Sequence, residues 1–107
     1  MSLLQEFTDD NFEKEVIHAE IPVLIDFGAE WCVPCKKLHP VVEEIASEYK
    51  GRVKFGQVDV GKCTAVAAKY GIMSVPTLLL IAKGQVKEHL SGLVAKKKII
   101  ESIEKHL

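Results

Sequence analysis

An apolar run at 23–27 that gives way, after a short turn, to a pair of cysteines constrains this chain more than any other feature. Val23, Leu24, Ile25 and Phe27 surround one carboxylate, Asp26. Continuous apolar character without alternation marks a central strand covered on both faces. Past Trp31-Cys32-Val33-Pro34-Cys35-Lys36 the period changes. From Pro34 onward, Leu38, Val41, Val42, Ile45 and Tyr49 form one helical stripe, and Glu43, Glu44, Glu48 and Lys50 take the wet side. Both cysteines therefore sit where a strand hands over to the first turn of a helix. Positions i and i+3 on such a turn lie about 5–6 Å apart, within the reach of a disulfide. The helix start offers unpaired N–H groups and partial positive charge to a thiolate at Cys32. Those are the requirements for a low-pKa cysteine with a resolving partner. Pro34 fits the first turn, where its missing N–H costs nothing.

The remaining segments build a sheet around this junction. Residues 3–8 read as a weak first strand, and 11–19 as a helix capped by Thr8 or Asp9 with Phe12, Val16 and Ile17 on one face. Pro40 is expected to kink the long helix rather than end it, and Gly51 to stop it. Segment 52–60 reads as a strand with Val53, Phe55 and Gln57 on one side and Lys54, Gly56 and Val58 on the other. A helix over 62–70, closed by Gly71, is followed by Ser74-Val75-Pro76 and a buried strand at 77–81. Lys83-Gly84-Gln85 then turns the chain into a hairpin strand at 86–90. Gly92 precedes a lysine-rich helix with Ile99, Ile100 and Ile103 on its apolar side. The class is α/β: a mixed sheet with helices on both faces.

A chain of 107 residues suits one domain, 1–107, with a real core. Lysine plus arginine is 14 and aspartate plus glutamate 15, a net charge of -1, which excludes a broad basic surface and argues against nucleic acid as a partner. No basic-then-apolar leader opens the sequence, and its apolar runs are far shorter than a membrane span. The expectation is cytoplasmic residence with no membrane partner. Three cysteines, an odd number, suit a cycling dithiol in a reducing compartment better than a disulfide-stapled secreted scaffold. A structural zinc site lacks its second pair of ligands, since only Cys63 and scattered histidines remain.

Ile25-Asp26-Phe27, Ala29-Glu30-Trp31-Cys32-Val33-Pro34-Cys35-Lys36, Pro40, Lys69-Tyr70-Gly71-Ile72, Val75-Pro76-Thr77, Gly84 and Gly92 together resemble the thioredoxin family, in order and over almost the whole chain. The resemblance implies the thioredoxin fold: a mixed sheet of about five strands flanked by about four helices in three α/β/α layers. It implies a protein-disulfide reductase and dithiol electron carrier with no bound cofactor. Its redox-active Cys32–Cys35 disulfide would be reduced by a flavoprotein reductase drawing on NADPH, and disulfide-containing proteins would be its targets. The family is mostly monomeric. The resemblance also implies a cis Pro76 beside the dithiol; sequence alone says only that a turn or bulge precedes that strand.

On that reading Cys32 is the attacking thiolate at the exposed end of the turn, and Cys35, more shielded, resolves the mixed disulfide. Asp26, raised in pKa by desolvation, helps move the proton as Cys35 becomes a nucleophile. Trp31, Val33 and Pro34 from one loop, Met73, Ser74, Val75 and Pro76 from a second, and Ser91, Gly92 and Leu93 from a third are expected to form a shallow apolar substrate surface. There the Val75 backbone would pair with an extended target.

The sequence departs from the family at three places. Gly28 replaces a bulky aromatic, Val33 a glycine, and Gln57 a lysine that commonly lies near the aspartate. Lys54 does not substitute, since strand parity sends it to the opposite face. Lys36 and Lys37 read as a solvated face or as added positive potential. His39 reads as a partly exposed surface histidine, with modulation of the thiol pair as the alternative. Cys63 reads as a thiol with no task, with a regulatory bond as the alternative. Three other functions remain open: an oxidase or isomerase of the same fold, against which stands the lack of a histidine between the cysteines; a binding or assembly subunit indifferent to its thiols; and a glutaredoxin.

Overall fold

The 23–27 run is the middle of the molecule. It forms strand β2 (Val23–Gly28), flanked in the computed structural model, which describes residues 3–107, by β3 (Lys54–Asp59) on one side and β4 (Thr77–Ala82) on the other. β1 (Gln5–Glu6) and β5 (Gln85–Ser91) complete a sheet of order β1-β3-β2-β4-β5. β2 runs parallel to β3 and antiparallel to β4, so the sheet is mixed as expected. Helices α1 (Val33–Glu48), α2 (Thr64–Lys69) and α3 (Lys96–Glu104) cover it together with a π-helical turn, Glu13–Ile17. The three-layer thioredoxin fold is thus present.

Strand parity divides the core into two. On one face Leu24, Phe55, Leu78 and Leu80 pack against Leu38, Val42 and Ile45 of α1 and Ile99 and Ile103 of α3. On the other Val23, Ile25, Phe27, Val58, Leu79 and Ile81 pack against Phe12, Val16 and Val66. Asp26 shares the parity of Leu24, so its carboxylate occupies a core position beneath α1. Its register partners are Gln57 and Leu78.

Several local expectations need correction. The first strand is only Gln5–Glu6, continued by the Phe7 N–H donating to the Gln57 carbonyl at 2.9 Å. The helix expected at 11–19 is a single wide turn, closed by the His18 N–H on the Glu13 carbonyl at 3.0 Å. Thr8 caps it: its hydroxyl accepts from the Asn11 N–H at 3.2 Å while its own N–H donates to the Asn11 side chain at 2.8 Å. Asp9 instead reaches across to α2, where the Val66 N–H donates to its carboxylate at 3.0 Å. That helix is shorter than 62–70, and the distant carboxylate fixes its first turn. As expected, Pro40 does not end α1, which keeps buried Leu38 before it and Val42 and Ile45 after it. The hairpin turns on Lys83 and Gly84, with φ of 54° and 77°, the left-handed pair that matches strand twist.

Candidate active site

Cys32 and Cys35 form a disulfide at the start of α1, with their Cα atoms 5.3 Å apart. Cys32 is the helix cap, and its sulfur accepts the Cys35 backbone N–H at 3.2 Å. A negative charge on that sulfur would be met by this donor and by the helix N-terminus. Pro34 lies in the first turn as expected. Cys32 Sγ also lies 3.8 Å from the carbonyl oxygen of Val75. The Val75–Pro76 peptide is cis, and it brings the loop before β4 beside the dithiol. The Gly92 N–H donates to the Pro76 carbonyl at 2.8 Å, which ties in the third loop, and Gly92 itself holds a φ of 84°. A residue with a side chain there would be strained.

One expectation about the pair fails. Both cysteines are buried, Cys32 at 4% and Cys35 at 7% exposure, so exposure does not distinguish the attacking sulfur. The Val75 loop covers Cys32 from one side. A cavity of about 260 Å³ opens toward Cys35 from the other, lined also by Asp26, Gly28, Lys36, His39 and Gln57. Gly28 stands in its wall, where a Cβ would lie 3.4 Å from Cys35 Cβ and Sγ. What separates the cysteines is the helix cap: only Cys32 presents its sulfur to a backbone N–H.

Around Cys32 the surface is apolar. Trp31 is 78% exposed and Met73 94%, with Val33 and Leu93 also open. Trp31, Met73, Ser74 and Val75 line a second hollow of about 120 Å³ together with Val60 and Ile72, two residues the sequence reading does not place on the substrate surface. Large apolar side chains left in water at the mouth of a redox pair form the kind of patch that other proteins dock on.

Asp26 is 5% exposed, and its Oδ1 has no hydrogen-bond partner among the described residues. Burial pushes its pKa from 3.8 to about 6, and the nearby His39 ring restrains the rise. The sequence-based view of His39 as a surface histidine misses this contact. The ring is about one-third exposed, with Nδ1 3.8 Å from Asp26 Oδ2 and Nε2 3.0 Å from Glu43 Oε1. Helical spacing from Cys35 was the available signal; the aspartate's place in the same cavity was not readable from it. Gln57 pairs with Asp26 in register. Lys54 points away and binds Glu15 at 2.6 Å, as strand parity required.

Cys63 is buried, with its sulfur 3.5 Å from the Phe7 carbonyl, and burial raises its pKa. That is an inert thiol. No helix of the described residues is long and apolar enough to cross a membrane.

A family profile described as Thioredoxin matches residues 3–105. The chain is 42% identical over 107 residues to "Thioredoxin 1" of Nostoc sp. (strain PCC 7120 / SAG 25.82 / UTEX 2576), covering 100% of both chains. It is 43% identical over 100 residues to "Thioredoxin C-2" of Corynebacterium nephridii, covering 94% of this chain and 93% of that protein. To "Thioredoxin" of Haemophilus influenzae (strain ATCC 51907 / DSM 11121 / KW20 / Rd) it is 40% identical over 107 residues, with 100% of both covered.

Proposed function

The chain belongs to the thioredoxin family and is a thiol-disulfide oxidoreductase, and from that premise we propose that it is a protein-disulfide reductase and dithiol electron carrier. The observation that carries this reading is the Cys32–Cys35 disulfide at the α1 cap, with a backbone N–H on the Cys32 sulfur and an exposed apolar rim.

In the reduced protein the Cys32 thiolate attacks a target disulfide. One target sulfur leaves with the electron pair, and Cys32 is joined to the other. Cys35 then gives up its proton to Asp26 and attacks the Cys32 sulfur. The internal disulfide re-forms and the target departs with two thiols. Trp31, Val33, Pro34, Ser74, Val75, Pro76 and Gly92 hold the target. The absence of a side chain at Gly92 and the fixed turn at Pro76 leave the Val75 backbone able to pair with an extended segment. A flavoprotein reductase drawing on NADPH returns the electrons, and the protein works as a monomer in the cytoplasm. Lys36 contributes positive potential at the mouth of the cavity.

Trapping tests the order of attack. With insulin as target, Cys35→Ser should accumulate a mixed disulfide that dithiothreitol cleaves, and Cys32→Ser should form none. A cellular activity of the protein that survives replacement of both Cys32 and Cys35 by serine would place its function in binding instead.

A further inference from the structure

The geometry points to His39 as the positioning residue of the resolving step: anchored to Glu43 through one ring nitrogen, it turns the other toward the buried Asp26 carboxyl and holds that group in its proton-accepting form. This rests on the exchange mechanism proposed above. Asp26 faces few groups. From α1 come Cys35 and His39, with Glu43 behind the ring; from β3 comes the neutral amide of Gln57, and from β4 Leu78. Glu6, Glu30, Lys36, Asp59 and Lys62 line the cavity farther out, and Lys62 is turned toward Glu30 at 3.6 Å. Among the described residues His39 is the only group able to carry positive charge that lies within ion-pair distance of the carboxylate.

Glu43 decides which way the imidazole works. A carboxylate 3.0 Å from Nε2 accepts a proton held there and fixes the ring, so that Nδ1 faces Asp26 Oδ2 at 3.8 Å. A ring carrying both protons sets positive charge beside the carboxylate and holds Asp26 in the ionised form that accepts the Cys35 proton. The step balances. Cys35 loses its proton to Asp26 as the Cys35–Cys32 sulfur bond forms and the Cys32–target bond breaks, the electron pair leaving with the target sulfur. The proton then leaves Asp26 through the open cavity beside it. Gly28 contributes by leaving the cavity open beside the same carboxylate.

The test compares the parent with His39→Gln, which keeps a donor for Glu43 but cannot carry charge, and His39→Lys, which keeps the cation, all in a Cys63→Ser background. One readout is the midpoint of the Asp26 carboxyl carbon shift in the oxidised protein by NMR. The other is the first-order release of the second thiol after the reduced protein meets one equivalent of dithiobis(nitrobenzoate), which reports Cys35 attacking the Cys32 mixed disulfide.

In His39→Gln the Asp26 midpoint should rise by about one unit, and the release rate should fall about fivefold near pH 6 but less than about twofold above pH 8. In His39→Lys both should return to the parent's values or pass below them. A midpoint unmoved in His39→Gln, or a rate lowered by the same factor at every pH, would overturn the assignment. A parent that releases no second thiol would remove the exchange mechanism and the inference with it, whereas a failure confined to His39→Gln leaves that mechanism standing.

Discussion

A carboxylate in the middle of a covered strand works against the fold whenever it is ionised. Asp26 titrates at about 6 in the folded chain against 3.8 for a free side chain. The folded state therefore holds the proton more tightly. The stability this group lends is complete below about pH 4 and is lost as pH rises through about 6, a difference of about 3 kcal/mol. Asp26→Asn removes the titration. Its advantage over the parent in urea unfolding should widen by about that amount between pH 4 and pH 8, and parallel stability curves would contradict it. Gln57 adjusts the same group from the neighbouring strand. Gln57→Lys should place a cation beside the carboxylate and lower the Asp26 midpoint, a shift that carboxyl NMR reads directly; an unchanged titration would mean that the register pairing does not bring the two side chains together. The carboxylate's position was readable from one Asp among Val23, Leu24, Ile25 and Phe27. The contact with His39 was not, because spacing along a helix specifies a side and not the distance across a cavity.

At the scale of elements, the strands that bury both faces were the easiest to read, because their apolar runs leave no other arrangement. Elements stabilised by tertiary contact were harder. β1 is two residues long and is held by its register against β3, something no local pattern encodes. The π-helical turn follows from an apolar face at 12–17 that is too short to make a full helix. Asp9 was read as a local cap and serves a helix more than fifty residues away. Gly56 shows how closely these pieces fit: a Cβ there would overlap the Phe7 ring, which lies on β3 where β1 passes. Gly56→Ala should therefore lift Phe7 and cost about 1–3 kcal/mol, measured by thermal or urea unfolding. A variant as stable as the parent would show that Phe7 can move freely.

Across the whole molecule, the fold gathers three loops at one end of the sheet. The α1 cap supplies the sulfurs, the cis-Pro76 loop covers Cys32, and Gly92 closes the third side. Cys32, Cys35 and Asp26 stood out in the sequence because their chemistry conflicts with their apolar surroundings or depends on their spacing. The matching burial of the two sulfurs did not, since it depends on where distant loops fold over them. Nor did the cavity beside Cys35, which combines the missing side chain at Gly28 with the placement of α1. The most direct test of the reductase assignment is the Cys32–Cys35 redox potential, measured in a Cys63→Ser protein by equilibration against glutathione and dithiothreitol buffers. A dithiol stabilised as a reductant should equilibrate below the cytosolic glutathione poise of about −220 to −260 mV. A potential well above that range would contradict the assignment and make the protein an oxidase or isomerase.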